Sequence, residues 1–177
     1  SVGMKFIFKD YKLLNTDETK AVLEIRNSPA VRNASATSEI ISLDAHYKWV
    51  RNLAPNSYFA LIIEDQIIGG ISLNGEFWGI FFSQQSEPVS RLVFAYIFLE
   101  YITQKLPLIK SKIKKSNAQA IKFNQFFGFE ICAEIILNGE NFYILELERK
   151  KFQNCSKNPA FLKIKSIANS AKIEFVF

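Results

Sequence analysis

The sequence predicts a mixed α/β domain: a central twisted mixed sheet of about seven strands flanked by about four helices, followed by a C-terminal extension. Three observations predict it. Strand-length apolar runs alternate with segments of helical period along most of the 177 residues. Asn-Gly pairs at 74–75 and 138–139 each separate two apolar runs, a strong hairpin signal. The stretch Arg91–Leu106 is apolar on every side, which a helix tolerates only when it is covered on more than one face.

The elements follow in order. Lys5–Phe8 reads as a short strand. Asn15-Thr-Asp-Glu18 has the spacing of a capping box and opens a helix with Ala21, Val22 and Ile25 on one stripe. That helix stops by Ser28, because Pro29 disfavours helical geometry in the residue before it. Ser42 caps a second helix carrying Leu43, His46, Tyr47, Val50 and Leu53 at helical spacing. Tyr58–Ile63, Gln66–Leu73 and Glu76–Phe82 form an antiparallel meander. Gln84–Ser90 reads as a polar loop before the apolar helix Arg91–Leu106. Leu108–Ile113 is a strand, and Ser116–Phe127 a helix ended by Gly128. Phe129–Leu137 and Asn141–Leu147 close the series as a hairpin.

Composition narrows the function classes. The longest apolar run, Leu92–Leu99, is far short of the roughly 20 residues that cross a bilayer, so no membrane role is expected. Ser1-Val2-Gly3 ahead of Met4 reads as an added leader and stays outside the fold argument. Cys132 and Cys155 are the only cysteines and show no metal or disulfide spacing, so a reducing cytoplasm and no metal are expected. The net charge of +5 resides in the tail: residues 1–149 balance 16 basic against 16 acidic side chains, while 150–177 hold six Lys and one Glu. A neutral body argues against nucleic acid as partner, since that affinity rests on a basic face. The 17 Phe residues, with the Lys, Ile and Asn bias, fit the codon usage of an AT-rich genome and carry little functional weight singly.

Two motifs bear chemistry. Asn117-Ala-Gln-Ala-Ile-Lys-Phe-Asn-Gln-Phe-Phe-Gly-Phe129 resembles N-x-x-A-x-x-x-Y-x-x-x-G-F, the signature of the GNAT superfamily of coenzyme A-dependent N-acetyltransferases. Ile25-Arg-Asn-Ser-Pro-Ala-Val-Arg32, with Ile41-Ser-Leu-Asp-Ala-His46 and Trp49, is similar to the R-N-x-x-x-V-R…I-S-x-x-x-H-x-x-W pattern. That pattern marks the branch acetylating amino-sugar nucleotides on the way to nonulosonic acids, and ribosomal-protein acetyltransferases share a looser version. The resemblance spans residues 5–149, the expected catalytic domain, with 150–177 a basic extension packing on it or on a partner subunit.

The resemblance implies acetyl-CoA as co-substrate and a nucleotide-linked amino sugar as acceptor. Transfer would be direct, in a ternary complex, since neither Cys sits in a nucleophile setting. Coenzyme A is expected along Phe81, Phe82 and Ser83, the turn Gln85, Ser86, Glu87, Pro88, Val89, Ser90 and Arg91, and Asn117, Ala120, Phe123 and Phe127. The turn departs from the family's Q/R-x-x-G-x-G/A: Pro88 and Ser90 stand where small residues are expected, and Glu87 adds negative charge. Pro88 removes an N–H donor from a cradle built on a helix N-terminus. Capping of that turn from within by Glu87 or Ser90 would leave a non-catalytic binding module.

Asn124 occupies the position of the family's Tyr, whose hydroxyl protonates the leaving thiolate; an amide releases no proton near neutral pH. Water, Tyr96, Tyr101 or Tyr143 would have to substitute. His46, the only histidine, and Glu76 are candidates to take the amine proton, with packing and solvation as their plain alternatives. Arg26 and Arg32, beside Asn27, suit bidentate contact with a diphosphate, or else surface ion pairs. Trp49 and Trp78 could stack on a base or sugar, or fill core. Lys110, Lys112 and Lys114 share one strand face, which either lines the phosphate end of the cofactor site or is a solvated edge. In the extension, Phe161, Ile164, Ile167 and Ala168 fit a helical stripe. Lys172–Phe177 alternates like a strand that pairs with its own sheet edge or with that of a second subunit in a homodimer.

Overall fold

The computed structural model describes residues 4–177; the leader Ser1–Gly3 lies outside the described residues. An eight-stranded sheet runs in the order β6-β7-β5-β4-β3-β2-β1-β8. Its strands are β1 (Lys5–Asp10), β2 (Tyr58–Ile63), β3 (Gln66–Asn74), β4 (Phe77–Phe82), β5 (Ile109–Lys114), β6 (Glu130–Leu137), β7 (Glu140–Leu147) and β8 (Lys172–Val176). Seven α-helices appear among the described residues: α1 (Thr16–Arg26), α2 (Pro29–Ala34), α3 (Leu43–Arg51), α4 (Pro88–Ile102), α5 (Ala118–Phe126), α6 (Arg149–Asn154) and α7 (Pro159–Ser170). The class is the expected one, with one more strand and three more helices.

Local chemistry sets the helix starts. The Asn15 side-chain oxygen accepts from the Glu18 N–H at 2.8 Å and the Glu18 carboxylate accepts from the Asn15 N–H at 2.9 Å, closing the capping box. Ser42 and Asn117 cap α3 and α5 through the Ala45 and Ala120 amides. The stop expected from Pro29 holds, since α1 ends at Arg26 and Ser28 is extended, but two prolines also open helices. Pro29 opens the short helix α2, and Pro88 opens α4 three residues before the expected start. At a first helical position the missing N–H costs nothing and the fixed φ is already helical.

Strand parity divides the interior. Phe59, Leu61 and Ile63 of β2 join a large core with Phe6, Phe8, α4, α5, α6 and α7, whereas Ala60 turns to a small core with Tyr11 and Val22. On β4, Trp78, Ile80 and Phe82 face the large core and Phe81 the small one. The helix α4 lies between the sheet and the extension. Phe94 meets Phe6 at 4.9 Å on one side, and Tyr96 meets Phe152 and Phe161 at 5.5 Å on the other. This double cover explains why α4 is apolar all round. Phe152, Phe161, Ile164 and Ala168 are buried, so the extension completes the core. Its strand β8 pairs parallel with β1 of the same chain, and Phe175 stacks on Phe8 at 4.4 Å.

The site is positioned by a defect in the sheet. β4 and β5 are parallel and touch in register only at Phe77 and Lys110, after which they diverge. Lys110 N–H still donates to the Glu76 carbonyl at 2.7 Å. Among the described residues no helix is long and apolar enough to cross a membrane.

Candidate active site

The opening between β4 and β5 holds a groove of about 620 Å³, and the small-core face holds a chamber of about 390 Å³. They share Arg26, Gly79, Ile80 and Phe81, so they meet along β4. Hydrogen-bonding direction alternates along an antiparallel strand. The Ser83 N–H donates back to the Ile68 carbonyl on β3 at 2.7 Å. By the same alternation and the register of β3 with β4, Gly79 and Phe81 turn their main chain to β3 while Ile80 and Phe82 turn theirs to the gap. Of the segment Phe81–Ser83 expected along coenzyme A, Phe82 therefore turns its N–H to the gap, with that of Ile80 beside it.

The chamber is an aromatic box. Tyr11, His46, Trp49 and Tyr58 surround it, with Trp49 edge-on to Tyr58 at 4.7 Å and His46 at 5.6 Å from Trp49. His46 is 4% exposed, and its Nε2 has no hydrogen-bond partner. Burial holds its imidazole below the ordinary value, so it is neutral near pH 7. Burial also raises Tyr11 well above the usual phenol range, leaving its hydroxyl protonated. Arg26 Nη1 is likewise buried and unpartnered. Burial works against its charge, yet a guanidinium stays protonated. Neither cavity is lined by any carboxylate, and the groove adds Arg91 and Lys112 to the cations.

Several expected site residues serve as scaffold. Asn27 grips the Ile41 backbone from both sides, its amide donating to the carbonyl and its oxygen accepting the N–H, both at 2.9 Å; Ile41 in turn lines the chamber. Arg32 lines neither cavity and braces the same segment through the carbonyls of Asn27 and Ser38. Asn124 is buried, accepting from Trp78 Nε1 at 2.9 Å and donating to the Ala120 carbonyl at 2.8 Å. Trp78 is thus fixed in the groove wall, stacked on Phe129 at 5.6 Å, and does not reach the chamber. Trp49 does line the chamber and is 41% exposed. Glu76 lies in the turn before β4, lines neither cavity and pairs with Lys110 at 3.8 Å. Phe127 is fully buried in the core.

Phe82, Ser83, Arg91, Asn117, Ala120 and Phe123 line the groove with Phe81, whereas Gln85, Ser86, Glu87, Pro88, Val89 and Ser90 lie beyond its lining. The turn is held by Arg91, which donates to the Ser86 hydroxyl at 2.7 Å and to the carbonyls of Ser83, Gln84 and Ser86. At the start of α4 no side chain caps the helix: neither Glu87 nor Ser90 turns back onto its amides. The Val89 and Ser90 N–H groups, the second and third of the helix, therefore lack a side-chain cap. Tyr96, Tyr101 and Tyr143 stand elsewhere, Tyr96 against Phe152, Tyr101 under Lys105 and Tyr143 near Lys115, so none supplies a proton to the groove. Of the three lysines on β5, Lys112 lines the groove; Lys114 is buried on the Asn33 carbonyl at 2.6 Å. Neither cysteine lines a cavity.

Tyr11, Tyr58 and Gly70 were not legible as site residues in the sequence. A Cβ on Gly70 would stand 2.5 Å from the Tyr11 hydroxyl and 2.6 Å from the Phe81 ring, so glycine here keeps the chamber open. Gly70→Ala is expected to leave the fold intact, because the colliding atoms are side-chain ends, and to raise the acceptor KM about tenfold or more. Steady-state kinetics with the acceptor varied, beside a thermal melt, checks it.

No protein-family model matches the chain, and no curated protein matches it by sequence. Solved structures do. The Campylobacter jejuni N-acetyltransferase PseH, solved with acetyl coenzyme A, is 22% identical over 81% of this chain and 99% of its own, with a TM-score of 0.61. FdhC, described as a nucleotide-linked sugar GNAT, is 16% identical over 84% and 91%, at 0.64. A ribosomal-protein-alanine N-acetyltransferase from Brucella melitensis is 17% identical over 76% and 96%, at 0.61. The chain has the GNAT acetyltransferase fold.

Proposed function

We propose that the protein is an acetyl-CoA-dependent N-acetyltransferase acting on a nucleotide-linked amino sugar by direct transfer in a ternary complex. One observation carries the reading: a groove and a chamber meet at the free edge of β4, lined by cations and by no carboxylate. Both expected reactants are anionic, and such a lining attracts anions while disfavouring polyammonium acceptors. The likeness to FdhC, described as a nucleotide-linked sugar GNAT, supports the acceptor class, and that to PseH, solved with acetyl coenzyme A, supports the donor.

The residues present fit coenzyme A. The main-chain groups of Ile80 and Phe82 would hold its amide-bearing arm, and Phe82 N–H would polarise the thioester oxygen. Arg91, Lys112 and the uncapped amides of Val89 and Ser90 would face its phosphates. Bound there, acetyl-CoA supplies the activated acyl group. Trp49, Tyr58 and Tyr11 would present faces and hydroxyls to the sugar and base, and His46 Nε2 would accept the amine proton. Residues 5–149 would carry the reactive site and 150–177 its structural completion. A homodimer through the extension would use the outer edge of β8, since its apolar helix face is already buried.

Incubation with acetyl-CoA and amino-sugar nucleotides, following free thiol, tests the reading; turnover with these acceptors is the expected result. Acetylation confined to peptide N-termini or Lys would replace it with a protein acetyltransferase of the ribosomal kind. Absence of heat or thermal shift with coenzyme A would leave a non-catalytic binding module.

A further inference from the structure

Transfer from a thioester creates negative charge twice, first on the carbonyl oxygen and then on the departing sulfur. Something must stabilise it where the two cavities meet. No tyrosine, histidine, cysteine or carboxylic acid lines the groove side, and both ends of the Asn124 amide are engaged, by Trp78 and Ala120. Tyr11 is held strongly in its protonated form by burial, which makes it a poor acid. Of the cations, Arg91 is folded onto the turn carbonyls and Lys112 sits on β5, lining only the groove. Arg26 alone lines both cavities, has no carboxylate ion-pair partner among the described residues, and keeps a buried Nη1 without any partner. Arg26 is half-buried, and a buried guanidinium nitrogen with an unused donor is costly to maintain unless an acceptor completes it.

We propose that Arg26, at the end of α1, is a catalytic residue that stabilises the oxyanion and the leaving thiolate of coenzyme A by its charge, in place of a proton donor. The inference rests on the acetyl-transfer reading above. The amine lone pair forms the C–N bond while the carbonyl π pair moves to oxygen, and the amine proton passes to His46 Nε2. The oxyanion then reforms the carbonyl as the C–S bond breaks, its electron pair leaving on sulfur beside Arg26. The proton taken by His46, relayed through solvent, ends on the thiolate, so one amide and one free thiol result. The charge-bearing groups around this point are Tyr11, Tyr58 and His46 in the chamber and Arg91 and Lys112 in the groove, none of which carries a negative charge near neutral pH.

The test is a pH titration of the thiol of bound coenzyme A, read by thiolate ultraviolet absorbance, in the wild type, Arg26→Gln and Arg26→Lys. In the wild type the bound thiol is expected to titrate about one to three pH units below free coenzyme A. Arg26→Gln should abolish most of that shift while Arg26→Lys keeps part of it. In parallel, Arg26→Gln should lower kcat by about 10²–10³-fold with the acceptor KM changed by no more than about threefold. A wild-type thiol that titrates as in free coenzyme A overturns the proposal without any variant. So does an equal shift in wild type and Arg26→Gln, or a variant whose acceptor KM rises while kcat holds, which would make Arg26 an anchor for the acceptor's phosphates. Coenzyme A that binds with an unshifted thiol sinks this inference alone; failure of coenzyme A to bind at all sinks the acetyl-transfer reading with it.

Discussion

Replacing His46 with Gln is expected to lower kcat for acetyl transfer by about 10²–10⁴-fold, the usual contribution of a positioned general base. No carboxylate lines either cavity, so no second base within the lining takes over. The pH dependence gives a sharper signature. Burial holds the imidazole below its ordinary value, so the neutral, proton-accepting form persists to lower pH than for a free histidine. The acid limb of the wild-type rate profile should therefore lie below about pH 6.5, and the H46Q variant should lose the part of it that depends on His46. Stability follows the same group. The unfolded chain takes up the proton near pH 6.5 while the folded chain resists it, so the unfolded state binds more protons between those two values. The contribution is complete above about pH 6.5 and declines as pH falls towards the folded value. Urea unfolding of wild type and H46Q between neutral and mildly acidic pH should show a shallower decline in the variant. Equal turnover by the two proteins would remove His46 from the chemistry.

Phe161→Ala is expected to destabilise the fold by about 3–5 kcal/mol. The ring is 1% exposed and touches Tyr96, Phe126, Phe127 and Phe152, which come from α4, α5, the residue closing α5, and α6. Its loss opens a cavity where four segments converge, and rigid helices cannot collapse to fill it. Leu162→Ala, one residue on and 46% exposed, should change stability by no more than about 0.5 kcal/mol. Chemical denaturation of both variants separates an extension that completes the core from one that merely rests on it: comparable midpoints would refute the former. Removing 150–177 whole should prevent stable folding, since β8 leaves with Phe152, Phe161 and Ile164 and uncovers α4 and the β1 edge.

The elements set by near neighbours in the chain were the ones the sequence revealed. Asn15 with Glu18, Ser42 and Asn117 announced three helices because a cap needs only the next three residues. Asn138-Gly139 announced its hairpin because both residues adopt positive φ, at 52° and 76°. Pro29 marked the stop of the preceding helix correctly, with Ser28 extended, but neither it nor Pro88, which read as loop, was legible as the opening of a helix. Position alone decides which role a proline takes.

The site was legible in part. His46 and Trp49 stood out by residue type and pattern and do line the chamber, and Arg26 lines the junction. Tyr11, Tyr58 and Gly70 gave no signal, since a tyrosine beside a strand and a glycine within one are ordinary in the interior of a sheet. Roles were less legible than membership. Asn124 looked like a vacancy in catalysis and is a clamp on Trp78, 46 residues away. Arg32 looked like a diphosphate ligand and braces a loop. Arg91 looked like a coenzyme A contact; it lines the groove and also organises the turn around it.

By itself the sequence determined the class of fold, the helix starts, the hairpins and the burial of the long apolar helix, because periodicity, capping and turn chemistry act over a few residues. The tertiary structure alone decided that β4 and β5 part after Phe77, that the extension closes the core, and which polar groups remain free at the meeting of the two cavities. The amide of Asn124 is engaged by a partner 46 residues distant, Trp78, brought within 2.9 Å only by folding, and no local rule foretells such a contact.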